Sequence, residues 1–273
     1  MEIEKNYELD FDILVKNAIG IGNRLDGKKY QHNGQNLIYA EGIGQKIIHH
    51  ILSARHLFHG YQLASDKYLF KPTIDFASIA ILTRASLETY LTLNYIFIST
   101  TDKDELRFRF LCWDLAGFLE RADHTPTNQE HKDKQTQEKK SIKTITEELK
   151  NTNAFKNLST KRQKLATNGQ WRLNNSWVQL AVMAGFSERF FKQQYKFLCA
   201  YAHSSRLSII QIQQIKELEA QKEMALASIS VLMVIIAKFM FDYIHLIPEL
   251  NEIKNEPEYA IIAAWKMIGE NLK

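Results

Sequence analysis

One apolar stretch constrains the fold more than any other part of the chain. Residues 226–247, "LASISVLMVIIAKFMFDYIHLI", must be enclosed either by a lipid bilayer or by a protein core. Lys238, Asp242 and His245 interrupt the stretch, and its unbroken apolar part is well short of the ~20 residues that span a bilayer. The stretch therefore predicts a buried core helix, and we expect no membrane span.

The rest of the chain contains few residues that break helices. There are 11 Gly and 4 Pro in 273 residues, and no segment of useful length alternates as a β-strand does. Residues 20–36 are rich in Gly, Asn and Lys and predict a loop. Helical patterns predict helices over residues 7–19, 37–65, 73–99, 103–123, 177–185, 188–203, 212–247 and 258–271. Together they predict an all-α protein, a single compact multi-helix bundle over residues 1–273.

A polar, charge-rich excursion interrupts this pattern at residues 129–164. It carries ten Lys or Arg against five Asp or Glu. Ile142, Ile145 and Leu149 recur at helical spacing, which predicts a solvated helix that packs one narrow stripe. The lysines form either an ordinary solvated face or a surface that contacts nucleic acid, and the composition leaves both interpretations open.

Charge and cysteine content indicate the compartment more than the activity. The net charge of +4 is too small to argue for nucleic acid or for an anionic ligand. Cys112 and Cys199 each lie in an apolar helical stretch, which predicts buried free thiols in a reducing compartment. The acidic start "MEIEKNYELDFD" lacks the apolar core of a signal peptide, so we expect a cytoplasmic protein.

The stretch "LTRASLETYLTLNYIF" places Arg84 and Glu88 on a helix that is apolar on nearly all sides. The two residues lie about 40° apart around such a helix, and their i,i+4 spacing lets them pair. Partly desolvated charges must be paired. The pair is then either a structural ion pair that sets the register of the helix, or the frame of a polar site that orients a third group.

The stretch "YKFLCAYAHSSR" provides a candidate for that third group, His203, at the end of an apolar helix. The negative end of the helix macrodipole favours a protonated imidazole, and histidine can act as general acid or base near neutral pH. The alternative is that His203 only caps the helix. Tyr195 precedes it by eight residues, about 80° around the helix.

Four other histidines, His49, His50, His56 and His59, cluster in "IIHHILSARHLFHG". No carboxylate or cysteine accompanies them at ligand spacing, and the Glu-x-x-His pattern of di-iron bundles is absent. The "GIG" at residues 20–22 lacks the third glycine and the preceding strand of a dinucleotide fingerprint. We therefore expect no metal site and no cofactor.

The order of three segments suggests a family: "LTRASLETYLTLNYIF", then "ELRFRFLCWDLAGFLER", then "YKFLCAYAHSS" before the long apolar helix. With the helical lead-in they span about residues 40–245. This order resembles a bacterial family of all-helical proteins of unknown function, which is distantly similar to the HEPN (higher eukaryotes and prokaryotes nucleotide-binding) proteins. The resemblance implies a HEPN-like bundle and a homodimer.

HEPN ribonucleases carry an arginine, four to six other residues, and then a histidine. The pair acts across a homodimer and cuts RNA without a metal, with the 2′-hydroxyl as the nucleophile. Here Lys196 stands at the longest of these spacings before His203, with "FLCAYA" between them. Lysine keeps the charge but lacks the planar fork of arginine, so Arg84 or Arg206 would have to replace the missing arginine by lying close in the fold.

The resemblance therefore implies a metal-independent endoribonuclease, a toxin effector in bacterial defence that acts on RNA. It also implies a partner protein from a defence or toxin–antitoxin system. The alternative is a non-catalytic helical module that binds a partner or senses a ligand in such a system. The residues expected to act in the site are His203 as general acid or base, Lys196 or Arg84 on the phosphate, Glu88 holding Arg84, Tyr195 in support, and Arg206 and Ser204 on the substrate.

Overall fold

The computed structural model of the chain describes residues 7–28, 31–32, 35–62 and 71–271. A 3₁₀ helix spans Pro248–Asn255, and two short strands, β1 (Gln31–His32) and β2 (Gln35–Asn36), pair antiparallel. All other regular structure in these ranges is α-helical, which confirms the all-α prediction. The helices are α1 (Tyr7–Leu25), α2 (Ile38–Phe58), α3 (Phe76–Phe97), α4 (Lys103–Ala122), α5 (Gln129–Asn151), α6 (Asn153–Lys156), α7 (Thr160–Thr167), α8 (Trp177–Met183), α9 (Glu188–Ala202), α10 (Arg206–Gln214), α11 (Leu218–Leu246) and α12 (Tyr259–Asn271).

The chain divides into two compact units. One consists of Met1–Leu93 together with Ala184–Lys273, and we call it the outer unit; the other, Asn94–Met183, we call the inserted unit. Helix α3 contains the first point of division. The single domain over residues 1–273 stays a prediction.

Helix α11 forms the core of the outer unit, as its apolar sequence predicts. Every residue from Val231 to Met240 is buried, and the helix packs against α1, α2 and α12. The two charged side chains of its apolar half are paired inside the protein: Lys238 Nζ donates to Glu270 Oε1 at 3.1 Å, and Tyr90 OH donates to Asp242 Oδ2 at 2.6 Å. A buried charge is stable only when it has such a partner.

The same helix is the only one in the described ranges that is long and apolar enough to cross a membrane. Within its 18-residue apolar window, however, 72% of the residues are buried inside the protein. A core helix of a water-soluble protein has this property, which agrees with the expected core position.

The predicted single helix over residues 212–247 is wrong, because the chain breaks between α10 and α11. Ile215 is extended, and the buried side chain of Gln221 turns back over the break. Gln221 Nε2 donates to the carbonyl oxygens of Ile215 and Lys216 at 3.4 Å each, while Gln221 Oε1 accepts from Ile74 N at 2.9 Å. These hydrogen bonds satisfy backbone groups on both sides of the Gln221 side chain. The sequence at the break contains no Gly or Pro that would mark its position.

The predicted loop at 20–36 is also partly wrong, because α1 continues to Leu25. Gly22 lies so close to α2 that an added Cβ would be 3.3 Å from Ile48 Cδ1, so its lack of a side chain serves helix packing. Helix α2 ends at Phe58, earlier than predicted, and Gly60 follows with a φ of 73°. Residues 63–65 of the predicted helix lie outside the described residues.

The inserted unit contains the polar excursion as α5, α6 and α7, with α5 packed along α4. Ile145 and Leu149 of α5 are buried against Phe108 and Leu111 of α4, which confirms the predicted narrow stripe. The lysines of α5 remain exposed. Cys112 is buried in the same core as predicted, whereas Cys199 of the outer unit is only half-buried, and both thiols are free.

Candidate functional site

Helix α3 positions Arg84 and Glu88 one turn apart on one face. Arg84 Nε donates to Glu88 Oε1 at 2.9 Å, and the two side chains are 19% and 26% exposed. The predicted partial desolvation of this pair is confirmed. Burial alone would lower the pKa of Arg84, but the hydrogen bond and the charge of Glu88 outweigh it and raise that pKa above its ordinary value.

Helix α9 brings Tyr195 to this pair from more than 100 residues further along the chain. Tyr195 OH donates to Glu88 Oε1 at 2.7 Å and lies 3.5 Å from Arg84 Nη2. The ring of Tyr195 stacks on Phe191, one turn earlier in α9, at a centroid distance of 5.2 Å and an interplanar angle of 14°. This stack fixes the ring and therefore the direction of the hydroxyl.

The hydroxyl of Tyr195 stays protonated at neutral pH. Burial raises its pKa, and the hydrogen bond to the Glu88 carboxylate raises it further. Tyr195 therefore acts as a hydrogen-bond donor that orients Glu88.

His203 completes the group. Arg84 Nη1 lies 3.0 Å from His203 Nε2, and His203 is exposed to solvent. Because a guanidinium group can only donate, Nε2 accepts this hydrogen bond, and the ring proton of a neutral imidazole is on Nδ1. We call Arg84, Glu88, Tyr195 and His203 the Arg84 cluster. The sequence predicted all four members as site residues, and the outer unit brings all four together.

A tight turn between α9 and α10 sets the position of His203. His203 is the C-cap residue of α9, and its N–H donates to Cys199 O at 3.0 Å. Ser204 follows with a φ of 49°, and Ser205 N donates to Ala200 O at 2.9 Å. A serine in this left-handed region carries backbone strain, which such turns usually avoid with glycine. His203 is therefore both a helix cap and a member of the cluster.

Three other predicted residues lie near the cluster without joining it. Within the described part of the chain, no hydrogen bond or ion pair involves the side chains of Lys196 or Arg206. Lys196 is exposed on α9 about 10.5 Å along the helix axis before His203. Arg206 is exposed as the first residue of α10, and Ser204 is exposed in the turn. Their roles toward a substrate stay predictions.

Sequence reasoning missed two residues on the same stripe of α9, Phe191 and Cys199. Phe191 carries the stack described above. Cys199 lies one turn after Tyr195 and one turn before His203. The spacing of 191, 195, 199 and 203 puts these side chains on one stripe of α9, and this i,i+4 periodicity was the available signal.

The donors of the cluster suit an anion rather than a metal ion. The described ranges contain no group of three His, Cys, Asp or Glu side chains placed to hold a metal. The guanidinium group offers hydrogen-bond donors in a plane that matches two phosphate oxygens, and the imidazole offers a lone pair beside it. Such a pair can hold a phosphate group and accept a proton next to it.

A protein-family model matches the part of the chain that contains the whole Arg84 cluster. The model of DUF5677, a family of unknown function, matches residues 73–222, more than half of the chain. The chain belongs to this family. The matched residues include all four members of the Arg84 cluster and the complete helices α3 to α10. No curated protein and no solved structure matches the chain.

Proposed function

We propose that this member of the DUF5677 family is a HEPN-like, metal-independent endoribonuclease that acts in the cytoplasm as a toxin effector of bacterial defence. The observation that supports the proposal is the 3.0 Å contact between Arg84 Nη1 and the exposed Nε2 of His203, with Glu88 and Tyr195 behind it. The missing arginine of the HEPN spacing is replaced by Arg84 from another helix. The RNA phosphate is expected to bind at this exposed edge.

The phosphate group of RNA competes with His203 for the guanidinium of Arg84. When Arg84 turns its donors to two phosphate oxygens, the lone pair of His203 Nε2 is released. Arg84 Nε still donates to Glu88, and the hydroxyl of Tyr195 still donates to Glu88. Binding of the substrate phosphate therefore frees the base that the reaction needs.

His203 then accepts the proton of the 2′-hydroxyl through Nε2. The 2′ oxygen forms a bond to the adjacent phosphorus, and the bond from phosphorus to the 5′ oxygen breaks. The products are a 2′,3′-cyclic phosphate and a 5′-hydroxyl end, and the 5′ oxygen takes its proton from water or from the second imidazolium of the proposed homodimer. Arg84 stabilises the charge that develops on the phosphate oxygens.

The homodimer is part of the proposal, but the apolar stretch 226–247 does not supply a surface for it. Helix α11 is covered within one chain, so it offers little free surface. Helix α10, directly after His203, instead exposes Leu207, Ile209 and Ile212 at 61%, 42% and 40%. An exposed apolar surface beside the cluster is consistent with a second copy of the chain packing there.

The test is cleavage of total RNA by the purified full chain in the presence of EDTA. We expect products with 2′,3′-cyclic phosphate ends, and loss of cleavage in His203→Ala and in Arg84→Ala. Lys192→Ala is the matched control, because Lys192 is an exposed cation of α9 that pairs with Glu188 outside the cluster. Absence of cleavage by the wild type, or equal cleavage by His203→Ala, contradicts the proposal.

One observation favours a second candidate, a non-catalytic module that senses a ligand or binds a partner protein of a defence or toxin–antitoxin system. Each of the three guanidinium nitrogens of Arg84 already has a partner in the cluster. A network of this kind can change its hydrogen bonds when an anion binds, without any reaction. Binding of a nucleotide that is lost in Arg84→Ala, with RNA left intact, identifies this second function.

A further inference from the structure

A pocket of about 210 Å³ lies in the inserted unit, between the end of α4 and the start of α5. It shares no residue with the Arg84 cluster, which belongs to the outer unit. Six of the eight residues that line it have charged, imidazole or amide side chains. They are Arg121, His124, His131, Lys134, Gln135 and Glu138.

Local hydrogen bonds build this pocket. Gln135 Nε2 of α5 donates to the carbonyl oxygens of Ala122 and His124 at 3.2 Å each, and so satisfies two backbone acceptors at the end of α4. Asn128 caps α5 by accepting from His131 N at 2.8 Å. The carbonyl groups that would repel an anion are thus bonded to a side chain, and the positive end of α5 lies at the pocket.

The charges of the wall sum to a positive value. Arg121 pairs with Glu138, whose residue is only 8% exposed, so these two charges cancel. Lys134 has no ion-pair partner among the described residues, and it contributes one net positive charge to the pocket. His131 uses Nδ1 in a 2.9 Å contact with Thr127 Oγ1, which leaves its Nε2 available to a ligand.

We propose that this pocket is a binding site for a phosphate group. Lys134 supplies the uncompensated charge, His124 and His131 supply ring N–H donors, and Arg121 supplies the guanidinium nitrogens that Glu138 does not use. The volume is below the ~300 Å³ at which sites for whole small molecules begin, so it suits the phosphate and leaves an attached group outside. The proposal does not depend on catalysis by the Arg84 cluster.

The affinity of the site increases as the pH falls. The charged and titratable side chains that face His124 and His131 across the pocket are Arg121, Lys134 and Glu138, from the ends of α4 and α5. Each proton added to an imidazole gives the anion one more positive partner. Sulfate keeps its charge at neutral and mildly acidic pH, so a pH dependence of sulfate binding reports on the protein.

The experiment is calorimetric titration of the full chain with sulfate and with inorganic phosphate. We expect Lys134→Gln to weaken sulfate binding at least about tenfold, because it removes a charge-assisted hydrogen bond. Lys143→Gln is the matched control, an exposed lysine of the same helix that does not line the pocket, and it should bind as the wild type does. Equal binding by the two variants, or no binding of either anion by the wild type, overturns the proposal.

Two further comparisons complete the test. A variant with His124→Gln and His131→Gln should retain sulfate binding but lose the increase in affinity on acidification; an unchanged pH dependence contradicts the assigned role of the histidines. An oligoribonucleotide with a 5′-phosphate, compared with its 5′-hydroxyl form, distinguishes a nucleic-acid end from free phosphate as the ligand source. Binding of both oligonucleotides with no effect of Lys134→Gln argues against the site.

Discussion

Arg84 and Arg109 share the same local chemistry in two different regions of the molecule. Each bonds through Nε to a glutamate four residues away: Arg84 to Glu88 at 2.9 Å, and Arg109 to Glu105 at 2.7 Å. Each guanidinium group also lies over a tyrosine ring, at 5.4 Å from the centre of Tyr195 for Arg84 and 4.4 Å from that of Tyr95 for Arg109. Contacts of this kind alone do not distinguish a structural arginine from a functional one.

The remaining hydrogen-bond partners distinguish Arg84 from Arg109. Arg109 Nη1 donates to Tyr95 O at 3.0 Å and to Ser99 Oγ at 2.7 Å, both less than 15 residues away, and its side chain is 10% exposed. Arg84 instead reaches His203, which is 119 residues away, exposed and titratable. Arg109 joins neighbouring segments through acceptors that do not titrate near neutral pH. Arg84 is held beside a group that can bind and release a proton in contact with solvent.

The largest expected effect is on cleavage of RNA. Arg84→Lys keeps the positive charge but loses the planar fork, so we expect the rate to fall by about 100-fold. Arg109→Lys should leave the rate per folded molecule unchanged. Single-turnover cleavage, with the folded fraction of each variant measured by circular dichroism, makes the comparison, and equal losses in both variants would remove the distinction between the two arginines.

The free energy of unfolding should depend more on Arg109 than on Arg84, which is the opposite of the order expected for cleavage. Arg109→Met leaves Tyr95 O and Ser99 Oγ without their donor and Glu105 without its partner, so we expect a loss of about 3 kcal/mol in the free energy of unfolding. Arg84→Met should cost only about 1 kcal/mol, because Glu88 keeps the hydrogen bond from Tyr195. Urea unfolding measures both values, and a larger loss in Arg84→Met would contradict the assignment.

Alkaline pH gives a separate test of the region around Arg109. Burial raises the pKa of Tyr95 to about 12, so the folded protein holds this proton more tightly than the unfolded chain does. Its contribution is complete below about pH 10 and is lost as the pH rises from 10 toward 12, a difference of about 2 kcal/mol. We expect Tyr95→Phe to match the wild type at neutral pH and to be more stable than it near pH 11. Urea unfolding at a series of pH values measures the free energy of unfolding of both proteins. Plots of this free energy against pH that run parallel for the two proteins would contradict the prediction.

The smallest effect is expected for Tyr195→Phe. The substitution keeps the stack on Phe191 but removes the 2.7 Å hydrogen bond to Glu88, which should cost about 1 kcal/mol of stability at neutral pH. Cleavage should fall by less than it does in Arg84→Lys, because Tyr195 acts only through Glu88. Urea unfolding and the cleavage rate check the two parts, and a loss of cleavage as large as that of Arg84→Lys would give Tyr195 a direct catalytic role.

The Arg84 cluster could be predicted from sequence because its members follow helical spacing. Arg84 and Glu88 are charges in an apolar helix, and His203 follows an apolar helix that also carries Tyr195. These positions predict that polar groups must meet inside or at the edge of a core. The direction in which the Lys196 side chain points could not be predicted, because the long side chain of a lysine on a helix can reach either solvent or a nearby site.

The parts of the fold that sequence missed depend on contacts between distant residues. The break before α11 is held by the side-chain amide of Gln221, whose Nε2 donates to Ile215 O and Lys216 O and whose Oε1 accepts from Ile74 N, and no local residue signals the break. Helix α1 continues through Gly20 and Gly22 because Gly22 allows Ile48 to approach. Likewise, "LRFRF" contains two arginines, and only the packing of α4 decides that Arg109 is the buried one.

The measurement that tests the central claim most directly is the ¹⁵N chemical shifts of the His203 imidazole at neutral pH. A guanidinium donor at Nε2 requires that Nε2 be unprotonated and that the neutral ring carry its proton on Nδ1. We therefore predict an unprotonated signal for Nε2 in the wild type and a change in the tautomer balance in Arg84→Gln. A protonated Nε2 that is unaffected by Arg84→Gln would show that the two side chains do not form the contact on which the proposed site depends.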